Sequence, residues 1–342
     1  MNYSSEYVNN VHIVVYGNGV DWGKICLFDL EKDFGAQIIN SPYPCRHGLY
    51  EKVSKIFFSP KYTRYIPKNL KKTMVDHFMA YSKINSNELV WLIIYDHNRL
   101  GNNSFFLNDI RDRYPNVRLI YIFTNIVKFS RARENNFVDS LNCYYDAIFA
   151  FDKLDSQKYS FEYNPLLYSK LPTYGYLQED YFFYIGKAKD RFNEIIKVYE
   201  RLVALGQKCK FFIYDVPYEK QLHHENITYN QYLPYEIVLQ YIQKSIGLVD
   251  IIQGDSTGLT IKVCEAITYD KLLITTNANV SNEPFFDDRY IKIISNAEDI
   301  DSSFFENKKN VHYTDEDRYC FSAKSFVNKL NIKFGHGEHY YL

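Results

Sequence analysis

Glu265 and Lys262 are the carboxylate and amine of this 342-residue chain best placed to bind a ligand together. They follow a turn of small polar residues, Ser256, Thr257 and Gly258, within the stretch GDSTGLTIKVCEAITYDKLLITTN at residues 254–277. Ser and Thr are good helix-capping types and Gly lets backbone approach a ligand closely. A helix start also aims unpaired N–H groups outward, so an anion such as a diphosphate fits there. Lys262 can reach back one turn toward that anion, while Glu265 can accept hydrogen bonds from vicinal hydroxyls such as those of a ribose. An ordinary capped helix with a solvated Lys and Glu accounts for the fragment alone equally well. A second run suited to phosphate is Gly186-Lys187-Ala188-Lys189-Asp190-Arg191, and a separate carboxylate, Asp96, closes the apolar run Val90-Trp91-Leu92-Ile93-Ile94-Tyr95. Open α/β sheets bind their ligands at such carboxyl ends of strands. His97 is next in sequence, but strand alternation would point it to the opposite face, so the two are not expected to pair.

The elements that must hold these residues follow from hydrophobic runs separated by helical stretches. In the first half, strands are expected at residues 12–16, 90–95, 117–123 and 146–151, with helices near 74–81 and 105–114. Pro165, Pro172 and Gly175 mark a linker, after which the pattern restarts with strands at 181–185, 210–214, 227–229 and 246–252 and helices at 195–205 and 233–243. Strands alternating with helices give βαβ units and a mostly parallel, doubly wound sheet. The expected organisation is therefore a Rossmann-like domain at 1–172, a second at 173–320 and a closing helix and tail at 321–342, with the carboxyl ends of the two sheets facing across a cleft.

Composition narrows the function classes. A net charge of −1 lacks the sustained basic excess of a nucleic-acid binder. Up to residue 172 there are 21 Lys and Arg against 17 Asp and Glu, and 19 against 24 beyond, so the first half is mildly basic. Lys61, Arg64, Lys68, Lys71 and Lys72 contribute to this, which suits an anionic acceptor or lipid surface or simply a solvated face. Six scattered cysteines without a CxxC pair are expected as free thiols in a reducing cytoplasm. No carboxylate–histidine spacing suggests a metal site. No window has the roughly 18 apolar residues of a membrane span, and the N-terminus lacks the basic region and apolar core of a leader. A soluble protein that at most touches a membrane surface is expected. Gly17, Gly19 and Gly23 resemble a relaxed dinucleotide fingerprint, but residues 36–40 end without the acid such a site needs, which disfavours a nicotinamide cofactor. That loop could instead hold an acceptor hydroxyl, with Asp21 as its polar contact.

At this point the sequence resembles bacterial glycosyltransferases of the GT-B architecture, particularly those of lipopolysaccharide-core and capsule biosynthesis. The likeness rests on Tyr184-Ile185-Gly186-Lys187 with Arg191, on Gly258-Leu259-Thr260-Ile261-Lys262-Val263-Cys264-Glu265-Ala266, on Lys271-Leu272-Leu273-Ile274-Thr275-Thr276-Asn277, and on residues 145–153. It implies an α/β GT-B fold of two Rossmann-like domains with the donor nucleotide sugar on the second. Glu265 would hold the donor ribose, while Lys187, Arg191 and Lys262 would neutralise the diphosphate leaving group without a divalent ion. The base would lie near Tyr214 and the turn at Leu233. Many members carry a second glutamate where this chain has Thr257, which leaves the sugar contacts open. Asp96 would act as general base toward a glycan or lipid-linked acceptor in an inverting reaction, or orient the sugar in a retaining one; Asp21 is the alternative base. No cofactor beyond the co-substrate is implied. A sugar-nucleotide epimerase of similar fold and a non-catalytic two-lobed sugar-binding protein are the other readings.

Overall fold

The structure is a computed structural model that describes residues 11–17, 23, 26–39, 59–84, 87–98, 100–130, 137–172, 179–254, 256–307 and 310–334. Every strand pairing in it is parallel, and the strands form two six-stranded sheets. The first has the order β2-β1-β3-β4-β5-β6, from β1 (Val11–Tyr16), β2 (Gln37–Ile39), β3 (Leu89–Tyr95), β4 (Val117–Phe123), β5 (Ala147–Ala150) and β6 (Glu162–Tyr163). Its helices are α1 (Phe28–Phe34), α2 (Pro60–Thr63), α3 (Lys68–Tyr81), α4 (Ser104–Arg113), α5 (Leu141–Tyr144) and α6 (Lys153–Tyr159). The second sheet has the order β12-β11-β10-β7-β8-β9. Its strands are β7 (Phe182–Lys187), β8 (Cys209–Tyr214), β9 (Ile227–Tyr229), β10 (Gly247–Asp250), β11 (Leu272–Thr275) and β12 (Ile291–Ile293). The remaining helices are α7 (Phe192–Ala204), α8 (Tyr235–Lys244), α9 (Ile261–Thr268), α10 (Asp315–Tyr319) and α11 (Ala323–Phe334).

Strand β3 shows why the first sheet forms. Its continuous apolar run leaves no polar face, so both faces must be covered, as parallel sheets require. Leu92 and Ile94 point into one core with Phe78 of α3 and Phe106 and Ile110 of α4. Trp91 and Ile93 point into another, with Leu30 of α1 and Phe326, Val327 and Leu330 of α11. The second unit buries Ile195, Tyr199 and Leu202 of α7 against Phe182, Tyr184 and Phe211 of its sheet. The close β7–β10 approach needs a glycine, because a Cβ at Gly247 would lie 2.4 Å from the Phe182 ring.

The compact units are Met1–Leu167 with Ala323–Leu342, and Tyr168–Ser322. The chain thus changes unit at residue 167 rather than 172, and the closing helix returns to the first sheet, because the apolar side of α11 completes the core around Trp91. Several elements differ from the expectation. Helix α3 begins at Lys68, Gly186 and Lys187 belong to strand β7 instead of a loop, and β6 and β12 are short edge strands that were not expected. Of the cysteines expected as free thiols, Cys26, Cys209 and Cys264 are buried, whereas Cys143 is exposed. Among the described residues, no helix is long and apolar enough to cross a membrane.

Candidate functional site

In the second sheet the chain runs outward from β7 through β8 to β9, then returns to the other side of β7 with β10 and continues to β11 and β12. The direction reverses between β7 and β10, and ligands of open α/β sheets bind in the crevice at such a reversal. Four charged residues, Asp250, Arg191, Lys262 and Glu265, come together there. Asp250 ends β10 and is 2% exposed; its Oδ2 accepts a 3.0 Å hydrogen bond from the Thr275 hydroxyl. Burial raises the Asp250 carboxyl above its usual range, against the pull of Lys262, the Thr260 and Thr275 hydroxyls and Arg191. Arg191, in the turn after β7, donates through Nη2 to the Lys187 carbonyl at 2.8 Å and through Nη1 to the Ile251 carbonyl. The guanidinium therefore bridges the carboxyl ends of β7 and β10.

Helix α9 supplies the other half. Its N-cap is Thr260, whose hydroxyl accepts from the Val263 N–H at 3.4 Å. This corrects the expectation that Ser256 and Thr257 cap the helix. Residues 256–259 form a preceding loop, where Leu259 is fully buried and the Gly258 carbonyl accepts from Asn277 Nδ2 at 3.0 Å, so the first helical turn starts at Ile261. Lys262 is half-buried with Nζ 5.3 Å from the Tyr184 ring centroid. Burial lowers its pKa, with Asp250 and Glu265 opposing that shift and Arg191 adding to it. Glu265, 2% exposed, accepts a hydrogen bond from the Tyr235 hydroxyl, which itself lies 3.1 Å from the Tyr168 hydroxyl. Burial pushes Glu265 up to about 7; Tyr235 and Lys262 counter this and Asp250 adds to it.

Gly186 leaves the floor of this crevice open. A Cβ there would lie 3.0 Å from the Tyr184 hydroxyl and 3.8 Å from Lys262 Nζ. The Tyr184 hydroxyl is itself buried and has no hydrogen-bond partner among the described residues. A buried donor left unpaired costs about 1–3 kcal/mol, so it favours an incoming acceptor oxygen. Lys187 lies at the rim, with Nζ 3.0 Å from Asp215 and both side chains well exposed. Lys189 bonds the Gln253 side chain, and burial together with the Arg191 and Lys187 charges lowers its pKa. The Tyr214 hydroxyl accepts from the Leu233 N–H at 3.2 Å, which joins the end of β8 to the turn before α8. On the β10–β12 side an open pocket of about 390 Å³ is lined by Arg191, Glu194, Ile252, Gly254, Thr276 and Ser295, among others.

The structure thus gathers Gly186, Arg191, Lys262 and Glu265, places Lys187 at the rim, and joins Tyr214 to Leu233. Sequence reasoning missed Asp250, Tyr184 and Tyr235. Asp250 was hidden inside an apolar run expected to continue to residue 252; β10 stops at Asp250, putting the carboxylate at a strand end. Neither tyrosine carries a local signal, since each matters only through the residue it meets.

In the first unit, Asp96 follows β3 and is 2% exposed; its Oδ1 accepts from the Thr124 hydroxyl at 2.8 Å and from the Thr124 N–H at 3.2 Å. His97 was expected on the opposite face, yet its Nδ1 lies 3.8 Å from the same oxygen. The strand ends at Tyr95, and the turn that follows carries both side chains to one side. The turn is fixed by Asn98, whose Nδ2 donates to the carbonyls of Gly17 at 3.0 Å and of Tyr16 and Tyr95 at 3.3 Å. Asp21 lies outside the described residues. Among the described residues, no group of three or more His, Cys, Asp or Glu could hold a metal ion.

No family model matches the sequence, and no curated protein matches it. Solved structures do resemble it in fold. HepE from Anabaena, in complex with UDP and glucose, is 10% identical with a TM-score of 0.55 over 95% of this chain and 99% of that one. AviGT4, a glycosyltransferase of avilamycin A biosynthesis, is 9% identical with a TM-score of 0.54 over 95% and 98%. A candidate UDP-N-acetylglucosamine 2-epimerase from Listeria monocytogenes is 10% identical with a TM-score of 0.50 over 96% and 97%. At such identities the likeness is one of fold, and the fold expected from the sequence is the one found: the chain has the two Rossmann-like domains of the GT-B fold.

Proposed function

We propose that this protein is a glycosyltransferase that moves a sugar from a nucleoside-diphosphate donor, held on the second unit, to an acceptor hydroxyl. The observation that carries the reading is the convergence of Arg191, Lys262, Glu265 and the unpaired Tyr184 hydroxyl at the β7–β10 reversal. Arg191 and Lys262, with Lys187 and Lys189 nearby, supply charge for a diphosphate whose negative charge grows as the sugar–oxygen bond breaks. Such stabilisation needs no divalent ion. Glu265 accepts from the ribose hydroxyls, and the Tyr214–Leu233 turn borders the base. In an inverting reaction the acceptor oxygen bonds the anomeric carbon, its proton passes to Asp96, and the diphosphate leaves. The acceptor class we favour, from the resemblance in residues 181–277, is a growing bacterial surface glycan of the lipopolysaccharide or capsule type. It would be extended in the cytoplasm, at the inner face of the membrane.

The 0.50 likeness to a candidate epimerase favours one second reading, isomerisation of a nucleotide sugar without an acceptor. One experiment separates the two. Purified protein is incubated with a panel of nucleotide sugars, with and without glycan acceptors, and products are identified by mass spectrometry and chromatography. Nucleoside diphosphate formed only with acceptor supports transfer, while a new sugar isomer formed without acceptor supports epimerisation. Binding without turnover under every condition points to a sugar-binding protein. Full turnover after combined Glu265→Ala and Asp96→Ala substitution would reject the residue roles.

A further inference from the structure

The segment from Lys61 to Lys72 in the first unit has no part in the donor site, and its chemistry is unusual for this chain. It holds Lys61, Arg64, Lys68, Lys71 and Lys72 and no carboxylate, in a protein whose net charge is −1. Its shape is fixed by one inward residue. The Thr63 hydroxyl donates to the Ser59 carbonyl at 2.8 Å and accepts from Asn103 Nδ2 at 2.8 Å, anchoring α2 to the N-cap of α4. With Thr63 buried, its neighbours face solvent: Tyr62 is 43% exposed and Tyr65 71%. Each ring is backed by a cation, with Lys61 Nζ 5.7 Å from the Tyr62 centroid and Arg64 Cζ 4.7 Å from that of Tyr65. The start of α3 continues the surface with exposed Lys68 and Lys72, one helical turn apart, and Leu70 at 43% exposure. Lys71 rests its ammonium 4.8 Å from the Phe105 ring.

Local stability does not account for this arrangement. Helix starts favour acids, because the macrodipole is positive there, yet the first turn of α3 has none. Nor, among the described residues, do the neighbouring carboxylates Asp76 and Asp109 neutralise the patch, because both are taken by Arg113. A surface that places lysines where the helix disfavours them, beside exposed tyrosines and a leucine, matches an anionic bilayer. Lys and Arg meet headgroup phosphates there, and Tyr sits at the water–acyl boundary. A nucleic acid is the poorer match, because the chain lacks the extended basic track that a phosphate backbone follows.

We propose that the first unit docks on an anionic membrane surface through residues 61–72, with Tyr62, Tyr65 and Leu70 entering the headgroup region. This rests on the surface alone and is independent of the donor-site assignment.

The full chain is tested by co-sedimentation with vesicles of phosphatidylcholine alone and of phosphatidylcholine mixed with phosphatidylglycerol. Binding is expected to the mixed vesicles and to be lost as salt is raised. Each cation near the surface contributes about fivefold in partitioning, so Lys61→Glu/Arg64→Glu/Lys68→Glu should weaken binding by over about a hundredfold. Tyr62→Ser/Tyr65→Ser should weaken it while preserving its salt dependence. Unchanged circular dichroism and thermal unfolding identify folded variants. Should the charge reversal misfold, Lys68→Gln/Lys72→Gln on the exposed helix face takes its place, with a loss of about 25-fold expected. The proposal is overturned if wild type ignores the mixed vesicles, if it binds neutral vesicles equally well, if a folded variant binds like wild type, or if an oligonucleotide is retarded in a gel while vesicles are not bound.

Discussion

Asp96 and Glu265 are equally buried, each 2% exposed, but they are held in different ways. One oxygen of Asp96 takes two neutral donors from Thr124 and has His97 3.8 Å away. Glu265 has one phenol, from Tyr235, and otherwise stands among the charges of Lys262 and Asp250. Burying a carboxylate is costly unless hydrogen bonds or opposite charge compensate it. Asp96 is compensated by hydrogen bonds, which hold its side chain in place. The compensation of Glu265 is incomplete, which is why it is pushed up to about 7 and why new hydrogen-bond donors from a ligand would be well received. In this reading the first unit holds a fixed base and the second an electrostatic cradle whose balance is completed by the donor.

The largest effect expected from breaking this division is on turnover. Asp96→Asn should lower kcat by about 10²–10⁴-fold if the residue is the general base, leaving nucleoside-diphosphate affinity unchanged in calorimetry; a parallel loss of affinity would mean the two sites do not divide the work. Gly17→Ala comes next. Gly17 has φ +116°, and an added Cβ would lie 1.5 Å from Asn98 Nδ2, disrupting the clamp beside Asp96. Strain of about 1–3 kcal/mol plus the disturbed hydrogen bonds should lower stability in urea unfolding; an unchanged midpoint would show that Asn98 can be displaced freely. Lys262→Ala should weaken nucleoside-diphosphate binding by about 1.5–3 kcal/mol, the range for hydrogen bonds to charged groups, without loss of fold. Unaltered affinity would remove Lys262 from the cradle.

A pH experiment addresses Glu265 itself. Its carboxyl goes from an ordinary 4.5 to about 7 in the folded chain, so the native state keeps a proton that the unfolded chain has released within that window. Stability therefore falls as pH rises from about 4.5 to about 7. Glu265→Gln should flatten that part of the Tm profile, leaving a smaller slope of the same sign from the other raised carboxyls, those of Asp250, Asp155 and Glu194. An identical slope in the variant would place the titration elsewhere. The smallest effect belongs to Lys187→Ala: both partners of the Lys187–Asp215 pair are more than half exposed, so stability should change by no more than about 1 kcal/mol. A larger loss would show that the rim is more closely packed than its exposure suggests.

The sequence by itself determined the two parallel sheets, because apolar runs such as Leu89–Tyr95 and the spacing of Ile195, Tyr199 and Leu202 are local patterns that act through backbone periodicity. It also singled out Gly186, Arg191, Lys262, Glu265 and Asp96, since glycines and charged side chains at strand ends or helix starts are visible one segment at a time. Only the tertiary structure decided what these residues meet. It moved the helix cap from Ser256 to Thr260, brought His97 to Asp96 after the strand had ended, and placed Tyr184, Tyr235 and Asp250 around Lys262 and Glu265. It also returned α11 to the first unit, to cover an apolar face the first half of the chain leaves open. The physical reason is common to all of these. Burial and charge balance are set by neighbours distant in sequence, so neither the partners of a carboxylate nor its proton affinity can be read from the segment that carries it.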